Sequence, residues 1–367
     1  MLRSFLPVGQ GAFYREVFQF DDGRHTLVYD CGSSTDRSIV EQQIENDFSK
    51  DEIIDAVFIS HLDEDHINGL PFLLKYCRVQ KLFFPLITTK DKVYLKLNAL
   101  LSTGERGFLY HFIQNPYNAL TSLRLNHSPH FFLISTEQDE GWNDIDAPRI
   151  LSGDNVAGTL DLDLSEKMDW ELIPFNFRQK DRIETLKAAI AEIFHCRGEC
   201  SEENLEELIC YSSENKDKLK EVYRRVRGNF NTNSMTLFSG RRDHRFSQSY
   251  ALPKHFCCCN CCRKENGCLY LGDYDTSGAA KWEMLRKAYD KYWKYIGCIQ
   301  IPHHGSSHNY NEEISNLDAI NIISAGMKNS YRHPHSSVIK DLIMKDRTVH
   351  IVTENIGSQV DLKVDVP

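Results

Sequence analysis

The sequence predicts an α/β fold whose chemistry lies at the ends of buried strands, and three observations indicate this class. An apolar run at residues 53–60, rich in β-branched side chains, has the pattern of a buried strand. A polar hexapeptide follows directly, and residues 67–71 then have the pattern of a helix that is beginning. Because α/β sheets expose ligand-binding loops at the ends of their strands, we expect the functional site in that hexapeptide.

The remaining elements follow in chain order from the same patterns. Residues 12–20 and 26–30 predict two strands that are joined by a tight turn at Asp21-Asp22-Gly23. Residues 91–175 mix short apolar runs with loop-forming residues, so their elements are assigned only loosely. Beyond the middle of the chain, a helix is predicted at residues 281–293 and strands at 234–238, 268–271, 298–301 and 320–325.

A change of composition predicts a helical insertion at residues 178–228. Glu, Lys, Leu and Ala dominate there, and apolar residues such as Ile183, Leu186 and Ile190 recur at helical spacing. We expect this insertion to be a surface for a protein partner in a multi-protein system. The rest of the chain predicts a single domain over residues 1–367, since no linker or repeat divides it.

Length, composition and charge are those of a soluble protein. The 367 residues are 41% hydrophobic and 26% charged, and no apolar run approaches the roughly 18 residues that cross a membrane. The first residues lack the pattern of a signal peptide, so we expect a cytoplasmic protein without a membrane partner. A net charge of −9 argues against binding nucleic acid over the whole surface. The basic stretches at 224–227 and 241–245 are either solvated surface or local binding patches.

The hexapeptide at residues 61–66 combines four side chains of the types that bind metal ions, namely His61, Asp63, Asp65 and His66. A helix-capping turn would explain one of the aspartates but not four donors at this spacing. This pattern resembles the core motif of the metallo-β-lactamase superfamily, His-x-His-x-Asp-His, with Asp63 in the place of the second histidine. The motif is typical of a dinuclear metal site.

Further stretches extend the resemblance over most of the chain and in the same order. Together they resemble the hydrolase domain of the ComEC DNA-uptake channel, a branch of that superfamily. The stretches are Val8-Gly9-Gln10-Gly11, Tyr29-Asp30-Cys31-Gly32, Asn231-Thr232-Asn233-Ser234, Leu271-Gly272-Asp273, Pro302-His303-His304-Gly305-Ser306 and Tyr331-Arg332-His333-Pro334. The resemblance implies an αββα sandwich.

The resemblance also implies how two divalent ions would be held. Ions about 3.5 to 4 Å apart share one bridging carboxylate, and Asp273 matches the bridge. By the same resemblance, His61 and Asp63 would hold one ion, while Asp65 and His66 would hold the other. Either His303 or His304 would complete the second site.

The chain departs from the superfamily pattern in two places. An additional metal-binding histidine of many members has no clear equivalent, because Asn231, Asn233 and Ser234 occupy the matching stretch. Asp63 in place of an imidazole makes the donor set harder, which favours Mn²⁺ or Mg²⁺ without excluding Zn²⁺. We expect two ions of Mn²⁺ or Zn²⁺, with a weaker first site.

The predicted function is hydrolysis by a metal-activated water, most simply of a phosphodiester. We expect Asp65 and Asp273 to act as ligands, and His333 or the histidine of the 303–304 pair that does not bind metal to protonate the leaving group. The alternative for His333 is a structural role as a loop cap before Pro334. Asp30 is expected to orient the site histidines. The substrate would be a nucleic acid or a nucleotide. A small-molecule ester or lactone hydrolase and a non-catalytic nucleic-acid or nucleotide sensor are the competing functions.

A cysteine-rich stretch at residues 255–268 carries a second prediction. Six of the twelve cysteines lie there, and neighbours in sequence seldom form disulfides with each other. Their spacing predicts a structural zinc knuckle held by Cys257, Cys259, Cys262 and Cys268. Reduced thiols, a redox sensor or an iron–sulfur cluster are the alternatives.

Overall fold

The computed structural model describes residues 1–21, 23–103, 106–136, 147–160, 164–177, 188–194, 217–218, 221–222, 234–250 and 263–364. The predicted helical insertion at 178–228 lies mostly outside these ranges, and its residues 188–193 are helical. The first part of the cysteine-rich stretch, residues 255–262, also lies outside them. The insertion boundaries and the single-domain organisation therefore stay predictions.

Two sheets form the centre of the fold within the described residues. The larger sheet has the strand order β11-β10-β16-β1-β2-β3-β4-β5-β6-β7. Its strands are β1 Leu2–Phe5, β2 Gly11–Phe20, β3 Gly23–Ser33, β4 Ile53–Phe58, β5 Arg78–Pro85, β6 His130–Ser135, β7 Arg149–Leu151, β10 Ser247–Tyr250, β11 Lys264–Glu265 and β16 Val360–Val364. Strands from β3 to β7 run parallel, whereas those from β11 through β3 pair antiparallel.

The smaller sheet has the strand order β15-β14-β13-β12-β9-β8. Its strands are β8 Glu171–Asn176, β9 Met235–Gly240, β12 Gly267–Tyr270, β13 Ile296–Gln300, β14 Ile320–Ser324 and β15 Val349–Val352. Strands β12 to β15 run parallel, so their carboxyl ends lie at one edge. This is the edge at which a parallel sheet exposes its functional loops.

Helices cover both outer faces. They are α1 Arg37–Asp47, α2 Glu64–Ile67, α3 Leu70–Tyr76, α4 Thr89–Thr103, α5 Phe108–Gln114, α6 Pro116–Ser122, α7 Leu164–Met168, α8 Ala279–Ala288 and α9 Ser336–Met344. Among the described residues, none of these has the length and apolar character that a bilayer span requires.

Three apolar clusters show how the layers stack. One joins the outer face of the larger sheet to residues of α1, α3 and α5, including Ile44, Leu73 and Phe112. A second fills the space between the two sheets, and a third joins the smaller sheet to α8 and α9 through Leu285 and Leu342. Burial of these side chains supplies the main driving force for the stacking. The predicted αββα architecture is confirmed.

A buried ion pair within the larger sheet is hydrogen-bonded to the smaller sheet. Arg3 on β1 is fully buried, and its Nε atom lies 2.7 Å from Oε1 of Glu16 on β2. Its guanidinium also donates to the carbonyl oxygen of Ser239 on β9 at 3.1 Å. Because a buried charge is tolerated only when it is paired and hydrogen-bonded, this arrangement favours one relative position of the sheets.

The predicted elements agree with the structure where the patterns are long. The hairpin is β2 and β3, and the buried strand at residues 53–60 is β4. The helix predicted at 281–293 ends at Ala288, because the chain turns there before a short 3₁₀ helix. The loosely assigned segment 91–175 contains the strands β6 and β7 and begins inside α4.

Candidate metal centre

The candidate site lies where loops from both sheets meet. The loop after β4 supplies His61, Asp63, Asp65 and His66, with the last two on the short helix α2. The loop after β12 supplies Asp273, and the loop after β13 supplies His303 and His304. These strands are parallel within their sheets, so the fold gathers residues that are more than 200 positions apart in the chain.

Glycine allows the α2 helix to come this close to the larger sheet. A Cβ atom on Gly32 would lie 2.5 Å from the backbone nitrogen of His66, which no real side chain tolerates. Gly272 precedes Asp273 at a φ of 54°, a conformation that glycine adopts at little cost. The glycines of the resembling stretches therefore have a steric role beside the ligands.

The carboxylate of Asp273 lies between two pairs of histidines. Its Oδ2 atom is 3.7 Å from Nε2 of His61 and 3.6 Å from Nε2 of His303. Its Oδ1 atom is 3.3 Å from Nε2 of His66 and 4.0 Å from Nε2 of His304. Each carboxylate oxygen thus faces one pair of imidazole nitrogens, as a bridging ligand between two ions would.

Asp65 lies beside His66 and His304, the two histidines that face the Oδ1 atom of Asp273. Its carboxylate is 3.1 Å from Nε2 of His304 and 3.9 Å from Nε2 of His66. The ligand atoms of Asp65, His66 and His304 lie within 4.8 Å of one another, and so do those of His61, Asp63 and Asp65. His61, His66 and Asp273 form a third group of this kind, so the donors make three overlapping groups that each have the size of a metal site.

The opposite ring nitrogens of these histidines are held by hydrogen bonds. Nδ1 of His66 is 2.8 Å from Asp30, which is fully buried and accepts from the backbone N–H of Ser60 at 2.7 Å. Nδ1 of His304 is 2.8 Å from the carbonyl oxygen of Ser324. With Nδ1 donating, Nε2 has its lone pair available for a metal ion.

His303 and Asp63 are held in the same manner by amide side chains. Nδ1 of His303 is 2.8 Å from Oδ1 of Asn309, whose amide nitrogen lies 3.3 Å from the carbonyl oxygen of Asp273. The amide of Asn98 on α4 donates to Asp63 at 2.9 Å. Asn309 therefore fixes His303 relative to Asp273.

The loop that holds the two histidines is strained. His303 and His304 have φ values of 48° and 56°, in the left-handed region that side chains other than glycine rarely adopt. Such conformations cost roughly 1 to 3 kcal/mol each and cluster at functional sites. The backbone N–H of His303 donates to the carbonyl oxygen of Gly272 at 3.0 Å, which joins this loop to the residue before Asp273.

The charges at the site shift the pKa values of its members in opposite directions. Burial lowers the pKa of His61 to about 3, with His66 adding to the effect. Burial also opposes a charge on His66, but Asp273, Asp30 and Asp65 outweigh it and raise its pKa well above the usual value. Burial would raise the pKa of Asp273, yet the histidines around it hold the pKa well below its usual range. Aspartates concentrated in this way favour a bound cation.

The donor set fits divalent metal ions. The Nε2 atoms of His61 and His66 are buried and make no hydrogen bond within the described chain. Buried polar atoms are normally satisfied, and those that are not indicate an unrecorded ion or water. Imidazole and carboxylate donors suit Zn²⁺ and Mn²⁺.

His333 lies at the edge of the same site. Its ring centroid is 5.5 Å from that of His303, and its Nδ1 is 3.5 Å from the amide nitrogen of Gln10. Burial and the two neighbouring histidines lower the pKa of His333 to about 4. The ring is therefore neutral at pH 7, and its role in protonating the leaving group stays a prediction.

A cavity of about 1160 Å³ opens over the ligands. Its wall includes the polar side chains of Gln10 and Asn309, the guanidinium of Arg37 and the aromatic ring of Tyr331. Sequence patterns did not single out Gln10, Asn98 or Asn309, because isolated amides in loops have no distinctive spacing. The only sequence signal was that Gln10 lies in a stretch that resembles the superfamily.

The structure describes one of the four cysteines that are predicted to hold a structural zinc ion. Cys257, Cys259 and Cys262 lie outside the described residues. Cys268 is a fully buried thiol on β12, in the apolar cluster between the sheets and beside Cys298 on β13. This core position argues against Cys268 as the fourth ligand of a zinc knuckle, and the knuckle itself stays a prediction.

A comparison with known protein families finds a match to the first part of the chain. A family model described as anti-Pycsar protein Apyc1 matches residues 6–107, which include Asp30 and the hexapeptide but not Asp273. No curated protein sequence matches the chain significantly.

Two solved structures are similar in fold. Human tRNase Z, short form, has 12% identity and a TM-score of 0.39 over 96% of this chain and 92% of that one. The metallo-β-lactamase SMB-1 bound to 2-mercaptoethanesulfonate has 10% identity and a TM-score of 0.30 over 88% and 79%. Neither is the ComEC hydrolase domain, so that narrower resemblance stays a prediction.

Proposed function

We propose that the protein is a metal-dependent hydrolase that cleaves phosphodiester bonds in nucleotides. The observation that carries this proposal is the position of Asp273, whose two carboxylate oxygens each face a separate pair of histidines. Two ions that share one carboxylate are the arrangement used for in-line displacement at phosphorus.

The distances favour a definite set of ligands. His61, Asp63 and His303 would hold the first ion, and Asp65, His66 and His304 the second, with Asp273 shared between them. In this arrangement His304 completes the second site, because its Nε2 atom is near both Asp65 and Oδ1 of Asp273. Many members of the superfamily have a further metal-binding histidine that has no equivalent in this sequence. At the first ion, His303 would take its place.

Two divalent ions bound there would supply an activated water and neutralise charge on the phosphoryl oxygens. The chain's own residues prepare the site for this chemistry. Asp30 keeps the Nδ1 proton on His66, and Asn309 orients His303. The neutral ring of His333 can hydrogen-bond to a substrate in the cavity without adding positive charge.

The cavity favours a small phosphodiester as the substrate. At about 1160 Å³ it has room for a nucleotide beside the ligands. Arg37 in its wall offers a guanidinium to a phosphate. The match to an anti-Pycsar family model favours a cyclic nucleotide over a polymer, although the same ligands would serve a nuclease.

The test is cleavage by protein loaded with Mn²⁺ or Zn²⁺. Nucleoside 3′,5′-cyclic phosphates and end-labelled single-stranded and duplex DNA would be compared between wild type, Asp273→Asn and Asp318→Asn. Asp318 is an exposed carboxylate outside the cavity and serves as the control. We expect cleavage by wild type and Asp318→Asn, with a loss of at least 100-fold in Asp273→Asn.

Absence of cleavage in protein that holds two ions per chain would overturn the proposal. Turnover of a small ester or lactone would then establish the competing hydrolase function. Tight nucleotide binding without turnover of any substrate would instead establish a sensor. A protein partner of the insertion and a cytoplasmic location are part of the same proposal and await separate tests.

A further inference from the structure

An exposed aromatic ring stands in the wall of the cavity. The Tyr331 side chain is 70% exposed, although tyrosine rings usually bury most of their surface. It lies in the loop between β14 and α9, and it lines the same cavity as Asp273 and the two loop histidines. The ring is therefore accessible from the cavity that would hold the substrate.

One face of this ring is already covered. The Tyr331 and His333 rings are stacked, with centroids 5.7 Å apart and an angle of 23° between their planes. His333 in turn lies 5.5 Å from His303, ring centroid to ring centroid. The rings thus form a short series that runs from a candidate metal ligand to an open aromatic face.

Hydrogen bonds hold the backbone of the loop on both sides of Tyr331. The side-chain amide of Asn329 donates to the carbonyl oxygens of Gly326 and His333 at 2.7 and 2.6 Å, and its oxygen accepts from the N–H of His333 at 2.8 Å. The N–H of His335 donates to the carbonyl oxygen of Gly305 at 2.9 Å. A loop whose backbone is already ordered loses little entropy when a planar group stacks on a side chain that it carries.

We propose that Tyr331 is the stacking surface for the base of the nucleotide substrate. This inference rests on the proposed function, because it assigns a place to the part of the substrate that does not react. A nucleobase is planar and is separated from its phosphodiester by a ribose. Tyr331 and His303 line one cavity, and His333 lies between them in the series of ring contacts. Stacking on an aromatic side chain tolerates any base, since every base has a π face.

The experiment compares two substrates that differ only in the base. A nucleoside 3′,5′-cyclic phosphate and 1-deoxyribose 3,5-cyclic phosphate would be given to metal-loaded wild type, Tyr331→Ala and Tyr331→Phe. Tyr117→Ala serves as the matched control, because Tyr117 is an exposed tyrosine that does not line the cavity.

We expect Tyr331→Ala to raise KM for the nucleotide about tenfold, with kcat within about twofold of wild type. The baseless substrate should show no such change, and Tyr331→Phe should behave as wild type. An equal change for both substrates, or no change for either, would overturn the assignment.

A second measurement separates this inference from the proposed function. Binding of a nucleoside monophosphate to the same variants can be followed by calorimetry whether or not the protein cleaves anything. If no variant has phosphodiesterase activity but Tyr331→Ala still binds about tenfold more weakly, the proposed function fails and the stacking surface stands. Equal binding by wild type and Tyr331→Ala would refute the stacking surface.

Discussion

The Nδ1 atom of His66 lies 2.8 Å from the Oδ2 atom of Asp30, and both side chains are buried. Asp30 is also fixed by the N–H and the hydroxyl of Ser60, each at 2.7 Å. A carboxylate that receives Nδ1–H fixes the tautomer of the imidazole and raises the basicity of Nε2. The affinity of the proposed second metal site would therefore depend on a residue that is not one of its proposed ligands.

We expect Asp30→Asn to weaken metal binding by about 10- to 100-fold, because an amide orients His66 less firmly and adds no negative charge. Competition against a chromophoric chelator would measure the affinity. Asp55→Asn is a matched control, since Asp55 pairs with His25 at 3.1 Å on the same sheet but outside the cavity. Equal affinities for wild type and Asp30→Asn would contradict the role of Asp30.

The two loop histidines are expected to affect different ions. His304→Ala should remove the second ion and reduce the metal content from about two to about one per chain, since the proposed ligand set places His304 in that site. His303→Ala should weaken the first ion while the second stays bound. Elemental analysis after dialysis against buffered metal would give both contents, with His308→Ala, another cavity residue, as the control. Loss of the same ion in both variants would show that the ligand assignment is wrong.

Removing one member of the buried Arg3–Glu16 ion pair is expected to destabilise the protein more than removing both. Arg3→Met leaves the Glu16 carboxylate buried without its partner, so the free energy of unfolding should fall by about 3 to 5 kcal/mol. The double variant Arg3→Met/Glu16→Gln removes that charge and should recover part of the loss. Urea unfolding followed by circular dichroism measures both, and a double variant less stable than Arg3→Met would contradict this account.

Asp341 makes stability depend on pH. Burial alone would raise the pKa of this carboxyl, but hydrogen bonds from Ser315 at 2.6 Å and Tyr310 at 2.7 Å lower it below its usual value. In the unfolded chain an aspartate has a pKa of about 3.9. Because the pKa of Asp341 is lower in the folded protein, the ionised carboxylate stabilises the fold when the pH is above about 3.9. This stability is lost as the pH falls through the folded pKa.

Asp341→Asn should therefore lower the free energy of unfolding by about 1 to 2 kcal/mol at pH 7. The difference from wild type should shrink as the pH falls below about 4. Urea titrations from pH 7 to pH 3 would show this, with Asp346→Asn, an exposed aspartate just after α9, as the control. A difference that does not change with pH would exclude the charge of Asp341 as its cause.

The elements with strong periodicity could be predicted from the sequence. The hairpin β2–β3 and the strand β4 have long apolar patterns that local geometry imposes. The segment 91–175 could not be predicted in detail, because its short helices are stabilised by contacts with the larger sheet and not by their own patterns.

The sequence by itself determined which residue types could bind metal. Four donors in one hexapeptide, an Asp after a strand and a His-His-Gly loop are local patterns, and the structure brings all of them together. Only the tertiary structure decided which donor faces which, since that depends on how loops from two sheets meet. The separate positions of His303 and His304, the partners Asp30 and Asn309, and the core position of Cys268 all follow from packing between distant segments. No local pattern records such contacts, because their energy arises only when the chain has folded.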